Sequence, residues 1–174
     1  AFGCSRYKTD TVFVYPSPIA NFNFDTVCAG NTMNFTDLST KAIGGMGIKQ
    51  WLWDFGDTRT STLKNTSNNY AAGGYYNVTL LVTDSMSCYD TVVKTVFTRT
   101  NPTVFFGFDT VCLGLPTHLV DKSTTPAVNG AIVSWNWKLG DGSPDTTTSQ
   151  NVTYTYSNYG NYYVSLRVTD SSGC

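Results

Sequence analysis

Trp51–Asp57 reads WLWDFGD, and Trp135–Gly142 reads WNWKLGDG. Each places two tryptophans one residue apart ahead of a Gly-Asp pair. Such a stretch could be a catalytic loop, a sugar-stacking platform or the end of a strand. The spacing between the two copies bears on the choice. Trp51 and Trp53 match Trp135 and Trp137, and Gly56-Asp57 matches Gly140-Asp141, all at an offset of 84 residues. FDTVC at Phe24–Cys28 recurs at Phe108–Cys112 with the same offset. VTDSMSC at Val82–Cys88 matches VTDSSGC at Val168–Cys174 at an offset of 86, so two residues are inserted in the second copy. Motifs that keep their order and spacing in this way mark a duplication.

The phase of the repeat divides the chain. Cys4 aligns with Cys88, and Cys88 with Cys174. Residues 1–15 therefore correspond to the last strand of a preceding repeat. Residues 16–101 make a complete unit, and residues 102–174 make a unit without its last strand. This predicts a window on a longer tandem array.

No segment has a helical period. Tyr76, Val78, Leu80 and Val82 alternate with Asn77, Thr79 and Leu81, and Tyr162, Val164, Leu166 and Val168 repeat the pattern. Period-2 alternation is that of a half-buried strand. Further strands are expected near 19–27, 32–39, 48–55, 66–70 and 89–98. About seven short strands per repeat, separated by Gly, Asn, Asp and Ser clusters, predict an all-β chain of tandem immunoglobulin-like antiparallel β-sandwiches.

Composition narrows the function. Charged residues are 13% and the net charge is −1, with no run of Lys or Arg, which argues against a nucleic-acid partner. The apolar runs are only a few residues long, too short for a membrane-spanning helix. The chain opens at AFGCSRY, without a basic-then-apolar leader, which says nothing about secretion either way.

Five cysteines fall at 4, 28, 88, 112 and 174. Cys28 and Cys88 are 60 residues apart, and Cys112 and Cys174 are 62 apart. The expected disulfides are Cys28–Cys88 and Cys112–Cys174, with Cys4 unpaired within the chain. Persistent disulfides imply an oxidising, extracellular location. Zinc is disfavoured, because there is no CxxC pair and only one histidine.

These features resemble the PKD (polycystic kidney disease) domain. That family carries a W-x-F-G-D-G turn followed by a G-x-Y-x-V-x-L-x-V strand. The first copy offers Trp53, Phe55, Gly56 and Asp57, then Gly74, Tyr76, Val78 and Leu80. The second offers Trp137, Gly140, Asp141 and Gly142, then Gly160, Tyr162, Val164 and Leu166. Thr58 and Leu139 depart from the pattern. The resemblance implies that the motif residues Trp53, Gly56, Asp57, Tyr76, Trp137, Gly140, Asp141 and Tyr162 shape the fold. Trp53 is expected in the core, Gly56-Asp57 in a tight turn, and Tyr76 and Tyr162 in a position to bond back to a loop.

The cysteine placement looks like the PKD-type repeats of large Bacteroidota surface proteins, including gliding-type adhesins. The Asp-Ser/Thr-apolar triplets resemble the O-glycosylation signal of that phylum. They nominate Thr11, Thr26, Ser85, Thr91 and Thr110, and Thr146 in a looser form. Turn chemistry alone also accounts for these residues.

Little suggests catalysis. His118 is the only histidine, and its first-copy counterpart is Asn34. Asp54, which with Asp57 could mimic a hydrolase pair, becomes Lys138. No catalytic residues, metal site or cofactor are assigned. Calcium has a weak case through Asp37, Asp54, Asp57 and Asp84, should their loops converge. The expected role is a non-catalytic stalk or filament segment of a large extracellular adhesive protein, with neighbouring repeats as partners. Lateral self-assembly, strand exchange and surface glycans are further partner expectations. The alternative is a carbohydrate-binding accessory module of a secreted hydrolase, with Trp51, Trp135 and Tyr75 stacking on sugars.

Overall fold

The computed structural model describes residues 6–144 and 149–174, together with the backbone of Thr146–Thr147. Thirteen strands carry the described fold, with one short 3-10 turn at Ala127–Asn129. The first copy contributes β1 (Phe22–Phe24), β2 (Thr32–Asp37), β3 (Ile48–Asp54), β4 (Thr60–Ser61), β5 (Thr66–Asn69), β6 (Gly74–Asp84) and β7 (Tyr89–Thr98). The second contributes β8 (Phe106–Phe108), β9 (Thr117–Asp121), β10 (Ile132–Lys138), β11 (Thr146–Thr147), β12 (Asn151–Tyr154) and β13 (Ser165–Asp170).

The sheets run β1-β2-β5 and β4-β3-β6-β7 in the first copy, and β8-β9-β12 and β11-β10-β13 in the second. Registers repeat. Trp53 pairs with Leu80, and Trp137 with Leu166. Both pairings carry an irregularity near the start of β3 and β10. This is the expected architecture of antiparallel sandwiches.

Alternation explains the strands. β2 (TMNFTD) buries every second residue, and so does β9 (THLVD). β6 buries Val78, Leu80, Val82 and Asp84, the face read from the sequence. β13 is shorter than its counterpart. Tyr162 and Val164 fall outside it; β6 lies between β3 and β7, and β13 pairs with β10.

The chain divides into two compact units. One comprises Ala1–Asp25, Asn34–Asn68 and Tyr76–Val96; the other comprises Thr26–Met33, Asn69–Tyr75 and Phe97–Cys174. In the first, Trp53 is fully buried and meets Phe22 edge-on at 5.2 Å, with Phe35 at 5.8 Å. Phe22 and Phe35 come from one sheet and Trp53 from the other, so this contact joins the two layers. In the second unit, Trp137 meets Phe106 edge-on at 5.2 Å, above Leu119 and Leu139. Burying a side chain of this size contributes several kcal/mol, and edge-on aromatic pairs add about 1 kcal/mol.

Candidate functional site

The Trp-Asp-Phe-Gly-Asp stretch closes on itself. The Asp54 carboxylate accepts the Gly56 amide at 2.9 Å. Gly56 has φ +73°, and a β-carbon there would lie 2.7 Å from the Asn77 carbonyl oxygen. Only glycine lets β6 pass this close to the turn. Thr58 takes φ +75°, the conformation that Gly142 takes in the second copy at +82°. The sequence departure at Thr58 therefore leaves the backbone path unchanged.

Asp57 is fully employed. It accepts Asn68 Nδ2 at 2.8 Å, the Arg59 amide at 3.2 Å and Arg59 Nε at 3.0 Å, and it pairs with Arg59 Nη2 at 2.7 Å. Burial pushes its carboxyl up, but the bonds from Asn68 and Arg59 outweigh that and leave the pKa below the usual carboxylate value. The counterpart Asp141 accepts the Ser143 hydroxyl at 2.5 Å and the Tyr154 hydroxyl at 2.6 Å. Those bonds lower it to about 2. Both carboxylates are turn acceptors.

The tryptophan indoles repeat the logic. Trp53 Nε1 donates to the Leu63 carbonyl at 2.8 Å, and Trp137 Nε1 to the Ser149 carbonyl at 3.2 Å. Trp135 Nε1 donates to Asp121 at 2.8 Å. Trp51 is half-buried, with the Lys64 ammonium 5.7 Å from its ring centre. Of the three proposed sugar platforms, only Tyr75 is largely exposed, with Phe97 beside it at 4.8 Å. Tyr162 donates its hydroxyl to the Asn158 carbonyl at 2.8 Å, and Tyr76 sits half-buried on β6.

His118 is a loop clamp. Its Nδ1 lies 2.7 Å from Asp109, whose carboxylate also accepts the His118 amide at 2.7 Å. The hydrogen bonds from His118 hold the Asp109 pKa low. Asn34 makes the same two bonds to Asp25, at 2.9 and 2.7 Å. A side chain that asparagine can replace is not acting as a proton carrier. Among the described residues, no three His, Cys, Asp or Glu side chains gather as metal ligands. Asp54 bonds within its own turn, and Asp57 bonds Arg59 there and Asn68 of β5. Asp84 accepts the amides of Met86 and Cys88. Asp37 accepts the Ser39 amide.

The disulfide expectation is corrected. Cys28 bonds to Cys174, across 146 residues, while Cys88 and Cys112 are free thiols. Cys4 lies outside the described residues. Topology supplies the reason. Cys28 pairs beside Arg99, just past one end of β7, whereas Cys88 immediately precedes the other end. The intervening ten-residue strand spans on the order of 33 Å, far beyond the roughly 7 Å that a disulfide tolerates between α-carbons. The sequence reading missed the two-residue β4. With it, five strands rather than four separate Cys28 from Cys88, and an odd number of antiparallel traverses ends at the opposite end of the sandwich. The second copy has the same strand count between Cys112 and Cys174.

Of the residues nominated for glycosylation, Thr11, Thr26, Ser85, Thr91 and Thr110 are exposed. The Thr146 side chain lies outside the described residues.

Comparison with known proteins agrees with this geometry. The family model described as PKD domain matches residues 15–98 and again 99–174. The pre-pro-metalloprotease PrtV of Vibrio cholerae is 28% identical over 169 residues, covering 97% of this chain and 17% of the relative. The microbial collagenase of Vibrio alginolyticus is 51% identical over 53 residues, 30% of this chain and 6% of the relative. The crystal structure of the PKD1 domain from PrtV is 32% identical with a TM-score of 0.44, covering 49% of this chain and all of that domain. These relatives are Vibrio proteins, not Bacteroidota adhesins, and the chain spans less than a fifth of their length. With Trp53 and Trp137 buried ahead of two copies of one Gly-Asp turn, and with most of its length matched by the family model, this chain belongs to the PKD domain family.

Proposed function

We propose that this chain is a non-catalytic, tension-bearing spacer of a larger extracellular bacterial protein, a stalk that holds other domains away from a surface. One observation carries the reading. The Cys28–Cys174 bond ties a turn of the first family segment to the end of the second. Tension applied between residue 6 and residue 174 passes through this bond and bypasses residues 29–173. The motif side chains support the same reading, because indole, carboxylate and glycine are all used inside the fold. The disulfide fits an oxidising compartment.

Single-molecule stretching tests this. Under oxidising conditions the chain should yield only its N-terminal segment. With reductant, the locked 146 residues should add about 50 nm of contour length at about 3.4 Å each. Equal extension with and without reductant would overturn the proposal.

The second reading is an accessory module beside a secreted hydrolase, carbohydrate-directed through the exposed Tyr75. The relatives, a metalloprotease and a collagenase, favour an enzyme neighbour. A glycan array separates the two readings. Binding that is lost in Tyr75→Ala would favour the accessory module; no binding, together with the reductant-gated extension, would favour the stalk.

A further inference from the structure

The one disulfide sets a pattern for the other cysteines of the repeat. Cys28 stands on the Val-Cys turn of the first copy, and Cys174 on the Asp-Ser-x-x-Cys loop of the second. Cys112 is the counterpart of Cys28 at an offset of 84, and Cys88 is the counterpart of Cys174 at an offset of 86. Both counterparts are free thiols, Cys112 exposed and Cys88 half-buried.

Each free cysteine sits in the same local structure as its bonded counterpart. The Asp84 carboxylate accepts the Met86 and Cys88 amides at 2.8 and 2.9 Å, and the Asp84 amide donates to the Cys88 carbonyl at 2.9 Å. Asp170 makes the same three bonds around Cys174: the Ser172 and Cys174 amides at 2.9 Å, and the Cys174 carbonyl at 2.8 Å. In the other loop, the Asn31 amide donates to the Cys28 carbonyl at 3.0 Å, and the Leu115 amide to the Cys112 carbonyl at 3.1 Å.

Cys88 also points to where its partner belongs. Cys28 is held beside Arg99, whose carbonyl accepts the Ala29 amide at 2.8 Å and whose amide donates to the Val27 carbonyl at 2.9 Å. Tyr15 is the counterpart of Arg99 at an offset of 84. The Cys88 Sγ lies 3.9 Å from the Tyr15 carbonyl oxygen. A Val-Cys turn held on Tyr15, as the first copy's turn is held on Arg99, brings its sulfur to Cys88 just as Cys28 is brought to Cys174.

We propose that Cys88 and Cys112 form disulfides with flanking repeats of the same polypeptide. Cys88 bonds to the Val-Cys turn of the repeat before the first copy, and Cys112 to the Asp-Ser-x-x-Cys loop of the repeat after the second. This rests on the reading of the chain as part of a larger extracellular protein. Each bond forms by exchange with a disulfide-donating oxidant of that compartment. One cysteine thiolate attacks the oxidant's disulfide and expels one of its sulfurs; the partner thiolate then displaces the other. Two protein thiols lose two electrons and two protons, and the oxidant leaves as a dithiol. Cys112 lies within the span closed by Cys28–Cys174, so successive loops overlap in sequence and every repeat is tied to the next.

The test is non-reducing peptide mapping of the native full-length protein, with free thiols alkylated before digestion. Cys88 and Cys112 should carry no alkyl group. Each should be linked to a cysteine outside residues 1–174, the partner of Cys88 in a Val-Cys turn and that of Cys112 in an Asp-Ser-x-x-Cys loop. Cys88→Ser in the full-length protein should add one titratable thiol, that of the abandoned partner, and leave Cys28–Cys174 in place. Alkylated Cys88 or Cys112 in the native protein would overturn the proposal, and so would a partner for either within residues 1–174. The stretching experiment on residues 1–174 turns on Cys28–Cys174 alone. Alkylated thiols with reductant-gated extension would sink this inference and leave the stalk reading standing; linked thiols with ungated extension would do the reverse.

Discussion

Replacing Gly56 by alanine asks whether the WDFGD turn exists for the fold. At φ +73°, an L-residue costs about 1–2 kcal/mol relative to glycine. The added β-carbon would also lie 2.7 Å from the Asn77 carbonyl oxygen and 3.2 Å from its nitrogen. Both are backbone atoms of β6, so the turn or the strand must shift, at a cost of about 1–3 kcal/mol. Alanine stiffens the unfolded chain and returns about 0.5 kcal/mol. The net expectation is a loss of about 3 kcal/mol, which lowers the melting temperature of a unit this size by roughly 12–24 °C. Calorimetry reads this directly. Gly140→Ala should behave alike, since its β-carbon would meet Tyr163 backbone atoms at 2.7 Å. Thr58→Gly is the control in the same turn. It removes a strained threonine at φ +75° and should change stability by between zero and about +1 kcal/mol, the opposite sign. An unchanged melting temperature in Gly56→Ala would refute this reasoning and return the motif to consideration as a ligand loop.

Other outcomes follow from the same geometry. Cys174→Ser should destabilise the second unit by up to about 5 kcal/mol, the chain-entropy value for a 146-residue loop, seen as a lower urea midpoint; non-reduced peptide mapping should find Cys28–Cys174 and not Cys28–Cys88. The Asp141 carboxyl, lowered to about 2 by Ser143 and Tyr154, should titrate near that value by NMR, and Ser143→Ala should move it up toward 3.8. Because the folded value lies below the unfolded one, the stabilisation from Asp141 is complete above about pH 4 and disappears as the pH falls toward 2. His118→Asn should leave the unfolding free energy within about 0.5 kcal/mol of wild type in urea titration, since Asn34 makes the same bonds in the first copy.

The repeat, the sandwich class and the inward role of Trp53 were legible because their signals are local. Alternation along β6 marks its buried face within a few residues. The Gly-Asp turn announces itself by a glycine that takes positive φ and a carboxylate that caps amides two residues on. His118 could be discounted because the duplication supplied its own comparison in Asn34. Two features were not legible. The strand Thr60–Ser61 is too short to carry a period, and omitting it reversed the parity on which the cysteine pairing depends. β13 begins only at Ser165, although the alternation from Tyr162 to Val168 matches that of β6.

The sequence by itself determined the duplication, the strand faces and the turn chemistry, since each is written in contacts between residues a few positions apart. Tertiary structure alone decided that Cys28 bonds to Cys174, and that Asp57 meets Asn68 across the fold. Those outcomes depend on which end of a sandwich each loop reaches and on which strand lies beside which. Such placement is the sum of every traverse between two positions, so one unrecognised two-residue strand is enough to change it.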